Sequence, residues 1–328
     1  MVEQVGTMLV WGATTAYAIA LVAFATDLAR LAERASRPGE NGEPPVRRAA
    51  RVGMAVTTAG WLLHVAGTVL RGVAAGRVPW ANMYEFVLMG SLAAVTTFLV
   101  LVRRRDVRFL GTLVLGIVTG ALGWALAVLY VAADGLQPAL QSYWLVIHVS
   151  IATIATGMFT VAFVISVVQL LKDSRSTRTA EATAPRADRR PGGGGAGTMT
   201  APRVEARSAG RGLGHPPWAF LASLPSLRHL EAMSFRINAI GFVLWTFTVM
   251  AGAIWAEHAW GRYWGWDPKE VWSFVVWVIY AAYLHARTTR GWSGRRAAWF
   301  VVAGYAAVIF NFTGVNLFFL GLHSYSGL

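Results

Sequence analysis

Apolar residues run along this chain in eight long blocks, separated by short polar segments. The blocks fall at about residues 6–27, 52–70, 80–102, 109–131, 144–171, 237–256, 268–286 and 297–320. Each is close to the ~20 residues that a helix needs to cross the hydrocarbon core of a bilayer. Backbone groups in lipid must be satisfied within their own segment, so the blocks predict helices. The expected fold class is an all-α polytopic membrane protein with about eight transmembrane helices. One region breaks the pattern. Residues 172–218 are rich in Arg, Gly, Ser, Thr and Pro and poor in aliphatics. Such a segment cannot bury a core and is expected to be a disordered linker. The stretch from Trp218 to Phe235 mixes apolar residues with Arg228, His229 and Glu231, and is expected to lie along the membrane surface. The chain thus divides into 1–171 with five spans, 172–236, and 237–328 with three spans. Glu3, with no basic residue ahead of the first block, predicts a retained span rather than a cleaved signal.

Charge adds an orientation. The formal net charge is +13, which in a soluble protein would point to nucleic acid. Here 25 of the 29 Lys and Arg lie between spans 1 and 2, 3 and 4, 5 and 6, and 7 and 8. The other side holds only Arg71, Arg77, Arg262 and Lys269. The positive-inside rule puts the basic segments, 172–236 among them, in the cytoplasm and both termini outside it. The basic excess is therefore an orientation signal, and no nucleic-acid partner is expected. There is no cysteine, so any thiol chemistry must come from a partner.

The densest chemistry lies between spans 6 and 7, in WAEHAWGRYWGWDPKEVWSFVVW, Trp255 to Trp277. It holds six of the fifteen tryptophans: Trp255, Trp260, Trp264, Trp266, Trp272 and Trp277. Residues 255–272 are expected to form an external loop. So many aromatic faces suit a large, flat, partly apolar ligand, although Trp also collects in ordinary interface belts. The loop ends in a readable helix start. Asp267 is placed as N-cap, Pro268 as N1 and Glu270 as N3, a capping box, with Trp266 and Val271 as a hydrophobic staple. Asp267 then has a structural role.

Depth sorts the histidines. His148 is about one turn below the outer end of span 5, and His323 directly follows span 8, so both lie level with the Trp-rich loop. His285 is seventeen residues into span 7, roughly 25 Å further down, and cannot share their metal. Imidazole is a good haem-iron ligand, and haem takes one on each face. His64 and Glu85 sit at similar depth in spans 2 and 3 and are expected to pair structurally. His215 and His229 are expected to be solvated. Arg71, Arg77, Arg262 and Lys269 are candidates to hold haem propionates, with snorkelling to lipid phosphate the alternative for Arg71 and Arg77.

WGRYWGWDPKEVW, Trp260 to Trp272, resembles the tryptophan-rich WWD signature of the haem-handling proteins of cytochrome c maturation. IHV at His148, YLHAR at His285, GLHSYSG at His323 and RGVAAGRVPWANMYEF at Arg71–Phe86 are similar to the CcsA/ResC type of the System II pathway. The likeness covers nearly the whole chain, apart from the long linker. It implies a helical bundle in the plasma membrane that acts with a ResB/CcsB-type subunit. It implies that haem b is received near His285, with a second ligand from that partner. The haem then passes outward to lie between His148 and His323 against Trp260, Trp264, Trp266 and Trp272. There its vinyl groups meet the thiols of a CxxCH motif on apocytochrome c, a holocytochrome c synthase reaction. A haem exporter without ligase activity and a bis-His b-type electron carrier are the alternatives.

Overall fold

The computed structural model describes residues 1–35, 47–133, 135, 140–183 and 218–323. All regular structure among them is helical: α1 (Val2–Ala35), α2 (Arg48–Ala75), α3 (Met83–Arg104), α4 (Gly111–Trp124), α5 (Tyr143–Thr183), α6 (Leu227–Trp260), α7 (Pro268–Thr289), α8 (Arg295–Phe312) and a short α9 (Gly314–Phe318). Seven of these, α4 being counted with the turns that flank it and α8 with α9, are long and apolar enough to cross a membrane. The remaining long helix, α7, has the 22 residues to span but is less apolar, carrying Trp, Tyr, Ser and His where its neighbours carry aliphatics. The expected all-α multi-pass membrane bundle is what the chain forms.

Several boundaries differ from expectation. The fifth block does not stop at 171, because α5 continues to Thr183 through a charged but helix-compatible stretch, KDSRSTRTAEAT. The linker expected from 172 therefore starts inside a helix, and the rest of it lies outside the described residues, as does His215. The stretch expected to lie along the surface, 218–235, is a short 3₁₀ turn at Ala219–Ser223 followed by α6, which starts at Leu227 behind an N-cap Ser226. Lys172 Nζ holds this turn by bonding the Leu224 and Pro225 carbonyls at 2.6 and 3.1 Å. The Trp-rich loop is also shorter than 255–272. Trp255 and Trp260 belong to the last turns of α6, and Trp272 to the first turns of α7, which leaves 261–267 as connection.

The helices pack as two groups that share α5. α1 lies along α2 and α4; α5 lies along α6, with α3 and α8 on its other sides; α7 lies between α6 and α8. One buried cluster, with Tyr17, Phe24, Leu88 and Phe98, fills the first group, and a second, with Phe159, Trp245 and Tyr280, fills the other. Small residues permit the closest approaches. A Cβ at Gly157 would come within 2.6 Å of the Ala93 and Ala94 backbone, so only glycine lets α5 meet α3 there. A third cluster around Leu140, Leu145 and Trp255 lies at the end of the bundle where α3, α5 and α7 begin and α6 ends.

Candidate functional site

At that end the two groups part and leave a cleft with about 1190 Å³ of space, counting its open mouth. Its walls come from five places: the start of α3, the first turns of α5, the last turns of α6, the connection with the start of α7, and the segment from the end of α8 to His323. His148 and His323, 175 residues apart in sequence, both line it. Trp255, only 2% exposed, ties them together. Its ring is stacked near His148 at 6.1 Å and 17°, and meets His323 edge-on at 5.4 Å. Trp260 backs His323 from 4.9 Å.

Each imidazole is aimed from behind. His148 Nδ1 lies 2.8 Å from the Thr248 carbonyl oxygen, one of the acceptors near the cleft on α6. A carbonyl can only accept, so His148 Nδ1 carries the proton and Nε2 carries the lone pair. His323 Nδ1 lies 2.8 Å from Asp267 Oδ1, which fixes the same tautomer. This is the usual arrangement behind a metal-binding histidine, with one ring nitrogen held by an acceptor and the other left to ligate. Gly252 makes room for the first ring: a Cβ there would be 2.8 Å from His148 Cε1. Among the described residues no group of three or more His, Asp or Glu could hold a metal ion. Two imidazoles lining one wide aromatic cleft suit a planar metal complex that brings its own equatorial donors, not a bare ion.

Asp267 does more than the sequence indicated. The capping box is formed: Asp267 Oδ1 accepts the Lys269 amide at 3.0 Å, and Glu270 Oε2 accepts the Asp267 amide at 3.1 Å. In addition Asp267 Oδ2 accepts the Leu322 amide at 2.7 Å, so one carboxylate joins the start of α7 to the chain after α9. Burial works against its charged form. The hydrogen bond from His323, with those from the Lys269 and Leu322 amides, outweighs that and holds the carboxyl below its ordinary value. Trp266 does not seat as a staple; it is 77% exposed, with φ +60°, a left-handed conformation that a non-glycine residue holds at a cost. Glu270 Oε2 holds that turn from both sides, taking the amides of Gly265 at 2.7 Å and Asp267.

The other expected residues separate into those at the cleft and those elsewhere. Trp264 lines it, and Lys269 lines it with Nζ 2.8 Å from the Asn311 carbonyl and 3.2 Å from Asn316 Oδ1. Arg262 lies over Gly265 and 3.6 Å from Glu270. Trp272 is not on the cleft wall and packs on Phe310 at 4.4 Å. Glu85 does not pair with His64. It is 0% exposed and bonds Arg71 Nε at 2.9 Å and Arg77 at 2.7 Å, because two guanidiniums compensate a buried carboxylate where one neutral imidazole cannot. His64 is buried against the Tyr17 hydroxyl, 3.3 Å away. Arg71 also bonds Glu3 at 3.0 Å and is 3% exposed, so it does not snorkel to lipid. Neither Arg71 nor Arg77 lines the cleft. Glu85 instead braces the wall, accepting the Ala81 amide at 2.8 Å, while its own amide caps onto Asn82. His285 is exposed near the far end of α7, with Thr289 Oγ1 3.4 Å from Nδ1. Trp80, Thr248, Gly252 and Asn316 also line the cleft, without having stood out as candidates in the sequence. Only Trp80 carried a signal, as part of the PWANMYEF motif.

A family model described as "Cytochrome C assembly protein" matches residues 80–323. The "Cytochrome c biogenesis protein CcsA" of Synechococcus sp. (strain CC9902) is 34% identical over 272 residues, 80% of this chain and 83% of the relative. Its namesake in Synechococcus sp. (strain JA-2-3B'a(2-13)) is 32% identical over 310 residues, 86% of this chain and 87% of the relative. Among solved structures, "Cytochrome c Heme Lyase CcmF" superposes with a TM-score of 0.55 at 18% identity. That match covers 97% of this chain and 50% of the other, and it speaks for the fold alone.

Proposed function

The chain belongs to the cytochrome c assembly protein family, and from that premise we propose that its cleft holds haem b as the substrate of cytochrome c maturation. His148 and His323 supply the two axial nitrogens. The single observation that carries this reading is that both rings reach one cleft with Nδ1 already occupied by an acceptor, at 2.8 Å in each case. Trp255 and Trp264 pack the ring system, Trp260 backs His323, and Lys269 is the cation on the wall best sited for a propionate. Arg71 and Arg77 serve the wall through Glu85 and are not proposed to meet the propionates.

The chain's contribution is positioning. Held by His148 and His323, a haem would have its ring plane fixed, leaving its vinyl groups to be reached from the open mouth of the cleft. There each thiol S–H of a CxxCH motif adds across one vinyl C=C. One C–S and one C–H bond form, and no electrons are gained or lost. The chain has no cysteine to compete as a thiol donor. We further propose that the cleft faces the extracytoplasmic side of the plasma membrane, as the distribution of basic residues implies. A ResB/CcsB-type subunit completes the synthase. His285, exposed at the opposite end of α7, receives haem with a second ligand from that subunit.

The deciding experiment incubates the purified protein and partner with haem and a CxxCH peptide. Covalent haem on the peptide is expected. Haem released without bonds would favour an exporter, and bound haem that only cycles electrons would favour a b-type carrier. His148→Ala and His323→Ala are expected to lose the cleft haem spectrum and to regain it in part with added imidazole. Unchanged spectra in both variants would refute the ligand assignment.

A further inference from the structure

An N-cap needs one acceptor and no charge, since Asn and Ser cap as well as Asp. Besides the bonds that cap α7, Asp267 accepts two that have nothing to do with starting that helix. They come from the Leu322 amide at 2.7 Å and from His323 Nδ1 at 2.8 Å. Gly321 next to them has no room for a side chain, because a Cβ would collide with Asp267 Oδ2. The chain after α9 is therefore laid directly against the carboxylate. The two cleft histidines are also held unequally. His148 stands on a 41-residue helix and leans on a neutral carbonyl. His323 stands on irregular chain and leans on a carboxylate.

We propose that Asp267 is the positioning residue of His323. It fixes the tautomer that presents Nε2 to the cleft and holds the ring in place where no helix does. Its negative charge makes His323 a stronger donor to iron than His148. This rests on the reading that His323 ligates haem. Because the carboxylate also starts α7, the end of the Trp-rich connection and the His323 ligand move as one unit.

The test uses the full chain in detergent with haem as the probe, and compares Asp267→Asn, His323→Ala and the double variant. Asn keeps an acceptor and the cap but removes the charge. At neutral pH Asp267→Asn is expected to melt modestly below the parent, because its side-chain NH2 cannot accept from the Leu322 amide, and to bind haem about 10–100-fold more weakly, the usual effect of removing such a partner. The midpoint potential of its bound haem should move positive, as a weaker donor disfavours the ferric state. In the His323→Ala background, Asp267→Asn should change neither affinity nor potential. Parent-like affinity and potential in Asp267→Asn, with both lost in His323→Ala, would leave Asp267 as a cap only and overturn the proposal. So would an equal loss with and without His323. An unchanged His323→Ala variant would instead overturn the haem-ligand reading itself.

Discussion

Gly252 offers the sharpest test of the His148 side of the cleft. Alanine there puts a methyl group 2.8 Å from His148 Cε1 and 2.9 Å from Nδ1, where ordinary contact begins at about 3.4 Å. The ring must retreat by roughly 0.6 Å, away from α6 and from the Thr248 carbonyl. Overpacking of this kind costs about 1–3 kcal/mol, and giving up the hydrogen bond costs about 1 kcal/mol more. Glycine to alanine inside a helix returns about 1 kcal/mol, which leaves a net loss of about 1–3 kcal/mol in thermal stability. Ligand geometry gets no such compensation. At 1.4 kcal/mol per tenfold, haem affinity should fall by roughly ten- to several hundred-fold. The assay is a haem titration followed by the absorbance of the bound form, with a melting curve for each variant. Gly120→Ala on α4, where nothing lies within 4 Å of the new methyl, is the control and should match the parent in both. If Gly252→Ala bound haem with parent affinity and an unshifted spectrum, His148 would not be an iron ligand held as described.

Four further outcomes follow from the same geometry. Glu85→Ala removes the acceptor shared by Arg71 and Arg77 and frees the Ala81 amide, so the melting transition should drop by about 3–5 kcal/mol of stability. Lys269→Met should weaken binding of haem but not of its propionate dimethyl ester, which a pair of titrations would separate. Arg287→Ala leaves the buried Glu231 carboxylate at the far end of α6 and α7 without its ion-pair partner; it should lower the melting temperature while the cleft spectrum stays as in the parent. The Asp267 carboxyl is held below its ordinary value. Its contribution to stability is therefore complete above the unfolded carboxyl pKa of about 4 and is lost as pH falls through the folded value. Melting curves should show this acid loss in the parent and not in Asp267→Asn.

The helices, and the arrival of His148 and His323 at one end of the bundle, were legible in the sequence for a physical reason. Hydropathy blocks report directly on what crosses lipid, and equal depth along helices of known rise is enough to bring His148 and His323 to one level. Boundaries were less legible because hydropathy marks where apolar side chains stop, not where backbone hydrogen bonding stops. α5 runs on through Lys172 and Asp173, and α6 begins ten residues before its apolar core, at Leu227. The Arg71 and Arg77 side chains were misplaced for a related reason. Depth gives a level but not an azimuth, and it is azimuth that turns both guanidiniums onto Glu85 and away from the cleft.

Asp267 marks the limit of local reading most clearly. Its cap was legible because donor and acceptor lie within three residues of each other. Its bond to His323 spans 56 positions and depends on how α8 and α9 return to the start of α7. The two roles constrain one another. A carboxylate that must cap α7 has its position set to within the reach of the Lys269 amide, so the His323 ring it holds is set as well. The strained turn at Trp266 follows from the same requirement. Glu270 draws the Gly265 and Asp267 amides onto one oxygen, and the residue between them takes a positive φ with its indole exposed. A signature that reads locally as a helix start is thus also what aims one ligand inward and one tryptophan outward, and both orientations are lost if the carboxylate pair Asp267 and Glu270 is displaced.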